Sequence, residues 1–187
     1  MIKTLPHIAI QAQQKMREDS TLKMKFKNIL KELIYIFDEE EKLDFVSKKI
    51  DFINAKIDPH KITCSKGCSH CCYHEISASK VELSIIKKKL TVEQNDKFEY
   101  QSGFLNQDEI EYSKRACPLL NSSNECSQYS DRPLICRATL VSTPNENCII
   151  SNNTSVKHEV PDVVALYILA YYNHQETIPM RFLNSIN

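Results

Sequence analysis

Glycine is almost missing from this chain. Among 187 residues only Gly67 and Gly103 are glycine, and there is no tryptophan. Hairpin turns draw on glycine for positive backbone angles, so the shortage argues against a sandwich or barrel. A mainly α fold is the expectation, with at most a small β-hairpin. Charge of one sign is also lacking. Lys and Arg together number 24, Asp and Glu 24, and the formal net charge is +0. That balance leaves no electrostatic footprint for nucleic acid or a membrane surface. Long apolar runs are absent as well. The most apolar stretch, Val160 to Tyr172, falls short of the roughly 20 residues that a spanning helix needs. The start, Met1 to Gln11, has no apolar core of signal-peptide length. The chain is therefore expected to be cytoplasmic, with no nucleic-acid and no membrane partner. A protein partner and the oligomeric state stay open.

Cysteine is missing from the first 63 residues and then occurs eight times. Four lie in the nine positions from Cys64 to Cys72: Cys64, Cys68, Cys71 and Cys72. Cys117, Cys126, Cys136 and Cys148 come later in the chain. In a reducing compartment, clustered cysteines read as metal or redox sites before they read as disulfides.

The apolar pattern is helical on both sides of this region. Leu22, Phe26, Ile29, Leu33, Ile36, Leu43, Val46, Ile50, Ile53 and Ile57 recur at steps of three and four, apart from a gap over Asp38–Glu41. The pattern fits one long helix or a pair broken at that gap. Its stripe packs on a core or serves as a dimer or partner seam. Asp58-Pro59 ends it. Residues 1–18 are polar and mixed, a short helix or a loose arm. Ser79 with Glu82 forms a capping box that opens another helix. Residues 91–113 are weakly patterned. Cys117–Leu120 and Cys126–Tyr129 flank a turn, Asn121–Glu125, and could pair as a hairpin. Pro133 suits the start of a short helix, and 142–157 reads as loop. A last helix from Pro161 to about Asn173 is apolar nearly all round and should be buried. Three stretches result: a helical segment 1–60, a cysteine-cluster region 61–140, and a loop with buried helix 141–187. Together they are expected to form one compact, helical unit with an irregular, metal-stapled cysteine-rich core.

Thiolates bind Zn²⁺ and iron–sulfur clusters, and four per site is usual. Cys68 and Cys71 have zinc-knuckle spacing, and Cys64 to Cys68 is one helical turn. Gly67 lets the backbone turn left-handed or approach a metal. Adjacent Cys71 and Cys72 diverge, which suggests ligands leaving for two centres, or one ligand and one bystander. Lys66, Arg115, Arg132 and Arg137 stand close in sequence to cysteines and are candidates for N–H···S donation or charge compensation. Tyr129 is a candidate donor to sulfur or a core residue. His70 and His74 lie inside the motif, where histidine ligands are known for zinc. No Ser/His/Asp or paired-carboxylate arrangement is evident, so no catalytic residue is assigned and enzymatic activity stays open.

The run Cys-x3-Cys-x-x-Cys-Cys, then Cys-Pro-Leu, then Cys-x-x-Tyr-x-x-Arg-Pro-x-x-Cys-Arg resembles the YkgJ-type cysteine-cluster family. The matching residues are Cys64, Cys68, Cys71, Cys72, Cys117, Pro118, Leu119, Cys126, Tyr129, Arg132, Pro133, Cys136 and Arg137. The resemblance covers about Cys64 to Arg137; Cys148 falls outside it. It implies chelation of zinc or iron by Cys64, Cys68, Cys71, Cys72, Cys117, Cys126 and Cys136. Zinc in one or two structural centres with an interaction role is the first expectation, because the spacing matches no ferredoxin. The alternatives are an iron–sulfur protein in electron transfer or redox sensing, and a protein-modifying enzyme with a metal centre. A flagellin lysine methylase is similar over the same motif, but the chain has no glycine-rich cofactor loop to go with it.

Overall fold

The computed structural model describes residues 6–64, 67–142, 160–173 and 175–186. Expectations for Lys66, Cys148 and most of the 142–157 loop concern residues outside that set. The fold is mainly α, as expected. Helix α1 spans His7–Glu18, α2 Ser20–Leu33 and α3 Glu39–Asn54. The long apolar stripe is thus a pair of helices. The break has a clear cause. Asp19 and Asp38 are both N-caps: the Asp19 carboxylate accepts from the backbone N–H of Thr21 and Leu22, and Asp38 accepts from Glu41 N–H at 2.8 Å. The acidic run Glu39–Glu41 is then the first turn of α3, where negative charge meets the positive end of the helix dipole.

Helix α4 covers Lys80–Lys87, α5 Val92–Ser102, α6 Leu134–Ala138 and α7 Asp162–Tyr172. Both α4 and α5 begin with capping boxes, Ser79 with Glu82 and Thr91 with Gln94. The second gives the weakly patterned 91–113 region its helix. Helix α7 is the centre of the main core. Every residue from Val164 to Tyr172 is buried. Around it pack Ala9 and Ala12 of α1, Leu22, Ile29 and Leu33 of α2, Leu43, Val46 and Ile50 of α3, and Leu134 and Ala138 of α6. The helical stripe is therefore spent on this core. Each fully buried Leu or Ile there contributes about 1.5–3 kcal/mol. Residues of 1–60, 61–140 and 141–187 all share this one cluster.

A second, smaller core joins Ala78, Leu83, Ile86, Phe98, Leu119, Met180 and Leu183, with Cys117 and Cys126 packed against it. Two three-residue strands border it: β1, Ser77–Ser79, pairs antiparallel with β2, Thr177–Pro179, in the register Ala78↔Ile178. The hairpin expected between Cys117–Leu120 and Cys126–Tyr129 is reduced to a single bridge, Leu120↔Cys126. Its turn is tight all the same. Asn124 sits at φ 59, and the Asn121 side chain accepts from the N–H groups of Ser123 and Glu125 at 2.9 Å each.

Candidate metal centre

Separate pieces of backbone carry the described cysteines, held by local turns and by contacts distant in sequence. Cys64 leaves a 3₁₀ turn, Pro59–Lys61, capped by Asp58. Its neighbour Thr63 donates both its N–H, at 2.8 Å, and its hydroxyl, at 2.9 Å, to Val141 O. Val141 N–H in return points at the Cys64 sulfur, 3.3 Å away. Gly67, directly before Cys68, takes φ +83, the left-handed conformation that glycine adopts without strain. Cys71 and Cys72 lie on a 3₁₀ turn, His70–Tyr73. Cys117 is tied directly to them, its N–H donating to Cys72 O at 2.7 Å. The segment before Cys117 is pinned by Gln101, whose amide donates to Lys114 O and Ala116 O, both at 2.9 Å. Cys126 stands at the bridge with Leu120, and Cys136 is in α6.

All seven of these cysteines are free thiols. Cys71 is exposed, and the other six are partly buried. Their electrostatic neighbours define how they group. Cys71 acts on Cys64, Cys117, Cys126 and Cys136 and is hydrogen-bonded to Cys72. Cys72 feels Cys117 and Cys136, and Cys117 feels Cys126. Cys64 feels Cys68. Electrostatically, Cys72, Cys117, Cys126 and Cys136 are thus linked to one another and Cys64 to Cys68, with Cys71 acting on members of both. The adjacent cysteines do not part completely: Cys72 bonds to Cys71, while Cys71 alone of the two reaches Cys64.

Burial pushes the Cys64, Cys126 and Cys136 thiols up and Cys117 up to about 12. Backbone N–H groups oppose it, from Val141 at Cys64, Leu119 at Cys117 and Gln128 at Cys126. Cys71 runs the other way. The hydrogen bond from Cys72 lowers it to about 7, and the charge of Arg132 adds to this. Cys72, which keeps the shared proton, is raised.

The nearby cations divide sharply. Arg132 acts on Cys71 and Cys126, and its guanidinium lies 3.6 Å from the centre of the Tyr129 ring. Its buried Nε has no hydrogen-bond partner. Arg115 is committed to oxygen instead: Ile110 O at 2.7 Å, Asp108 O at 2.8 Å and the Asp108 carboxylate at 3.2 Å. Arg137 likewise bonds Asp51 at 2.6 Å, Arg132 O at 3.1 Å and Ser130 O. The expected N–H···S role is therefore corrected for Arg115 and Arg137. Tyr129 is neither a donor to sulfur nor core. It is 63% exposed and serves as the platform under Arg132. His74 is exposed and His70 half-buried. A cleft of about 750 Å³ is lined by Cys64, Tyr129, Arg132 and Arg137 together with Asp51 and Asn54 of α3.

Donor chemistry fits a soft, thiolate-bound metal: sulfur ligands, backbone N–H groups aimed at three of them, and one guanidinium. The side chains as placed do not close a coordination sphere. Among the described residues no three His, Cys, Asp or Glu side chains are arranged to hold a metal ion. Val141 N–H and the Gln101 amide support the cysteine segments without any mark in sequence, since a backbone donor and a polar helix residue carry no motif.

Residues 63–160, over half of the chain, match the CxxCxxCC family, whose domain is described as a "putative zinc- or iron-chelating domain". The chain belongs to this family of metal-binding domains. No curated protein and no solved structure matches it. No described helix is long and apolar enough to cross a membrane.

Proposed function

We propose that Cys64, Cys68, Cys71, Cys72, Cys117, Cys126 and Cys136 hold zinc, in one or two centres, and that the metal fixes the loops between α3 and α7 as a surface for a protein partner. The observation that supports this reading is a set of seven free thiols in which Cys71 interacts with Cys64, Cys72, Cys117, Cys126 and Cys136, beside the charge of Arg132. Zinc bound by four thiolates is closed and structural, and it supplies folding free energy rather than a reactive water. Cys72, Cys117, Cys126 and Cys136 would supply one four-thiolate set. Cys64 and Cys68 would begin a second, with Cys71 between the two. Elemental analysis of protein purified without oxygen tests this directly. One or two zinc ions per chain is the expected result. Iron with inorganic sulfide would replace it with the iron–sulfur alternative, and no metal at all would overturn both.

A further inference from the structure

Glu82 lies 52 positions before Leu134 in sequence, yet its carboxylate accepts the Leu134 N–H at 2.8 Å. It also accepts Ser79 N–H at 2.7 Å and the Tyr172 hydroxyl at 2.7 and 2.9 Å. Only 2% of Glu82 is exposed. One buried carboxyl group therefore ties together the start of α4, the start of α6 and the end of α7. The Ser79 hydroxyl, 3.1 Å from the Tyr171 hydroxyl, adds a second link between α4 and α7. A buried carboxylate is costly unless its oxygens are satisfied. Here each of these hydrogen bonds is donated to it, which offsets that cost.

This carboxyl group bears on the helix that begins at Leu134. Helix α6 has five residues, too few to hold its own shape, and Pro133 before it has no N–H. Leu134 N–H is buried and finds its acceptor in Glu82. Two residues on is Cys136, partly buried and within the electrostatic reach of Cys71, Cys117 and Cys126. At the other end of the helix, Arg137 bonds to Asp51 of α3.

We propose that Glu82 is the positioning residue of the thiolate centre: by clamping the start of α6 to α4 and α7, it sets where Cys136 presents its sulfur. This carboxyl group then couples metal binding to the helical core, beside the packing of Leu134 and Ala138 and the Arg137–Asp51 pair. This rests on the metal-binding function proposed for the cysteines. Outer partners of this kind typically alter metal affinity about 10–100-fold.

The test is chelator competition for Zn²⁺ on the full chain, with the absorption spectrum of the Co²⁺-loaded protein as a second readout. Four chains are compared: wild type, Glu82→Gln, Tyr172→Phe, and Ile29→Ala as a core truncation in α2. Glu82→Gln is expected to weaken zinc about 10–100-fold and to alter the Co²⁺ spectrum. Tyr172→Phe, which keeps the carboxylate but removes one donor, is expected to weaken zinc by a smaller factor. It carries the test if Glu82→Gln does not fold. Ile29→Ala is expected to lower the melting temperature and leave both metal readouts unchanged. Wild-type affinity in the Glu82 and Tyr172 variants, or equal weakening in Ile29→Ala, overturns the proposal while leaving the metal reading intact. A wild-type chain that binds neither ion overturns both.

Discussion

A divalent ion held by four thiolates carries about two negative charges. Among the described residues, Arg132 is the cation whose charge lowers Cys71 and Cys126. Its stacking on Tyr129 fixes the guanidinium plane, and its unpartnered Nε leaves a donor for sulfur. Arg132→Gln is therefore expected to weaken metal binding about 10-fold or more, read by chelator competition. Arg115→Gln should leave it unchanged, because Arg115 is bonded to Ile110 and Asp108. From sequence these arginines were equivalent. Proximity along the chain said nothing of which carbonyls each would find once folded. The cysteines were more legible, since a thiol has few other reasons to cluster in a reducing compartment. Proton linkage belongs to this scale too. Burial raises Cys64, Cys117, Cys126 and Cys136, so each is a thiol at neutral pH and must lose a proton to bind metal. Raised values hold the proton more tightly, so affinity falls as pH falls and rises toward alkaline pH. A four-thiolate site should release up to about four protons per ion. Calorimetry in buffers of different ionisation enthalpy measures that number.

Helix α3 owes its start to Asp38, and α7 owes its stability to burial on every side. The two call for different costs. Asp38→Ala removes one capping acceptor and should cost about 1 kcal/mol, read as a shift in the urea midpoint. Leu169→Ala in α7, where the side chain is 1% exposed, should cost about 2–5 kcal/mol by the same measurement. Elements with a local signal were readable in advance: the capping box at Ser79 and Glu82, the turn at Asn121–Glu125 and the uninterrupted apolar run of α7. The capping box also hid something. Glu82 shows its bond to Ser79 in sequence, whereas its bonds to Leu134 and Tyr172 depend on contacts 52 and 90 positions away. The β1–β2 pair was invisible for the same reason. Thr177-Ile178-Pro179 has no alternation long enough to mark a strand, and its partner lies about 100 residues earlier.

At the scale of the whole molecule, apolar packing and metal divide the work unevenly. The main core around α7 contains no cysteine, whereas Cys117 and Cys126 pack on the smaller one. The segments between α5 and α6 have little regular structure: short 3₁₀ turns, one bridge and one tight turn. Backbone so irregular gains little from ladders or helices, and its ordering entropy of about 1–2 kcal/mol per residue must be met by other contacts. Bound metal is the natural source. Removing it should then act regionally. Chelation is expected to lower the melting temperature of the protein, with amide exchange accelerating over 63–142, while α1, α2 and α7 keep their helical signal at 25 °C. Far-UV circular dichroism before and after verified metal removal, beside residue-resolved exchange, measures both halves. Unchanged exchange over 63–142 would mean that the loops are held by the Cys117–Cys72 backbone bond, the Gln101 amide and the Glu82 clamp alone. Uniform loss of helix would mean instead that the two cores melt as one unit, with the carboxylate of Glu82 transmitting the loss from α6 to α7.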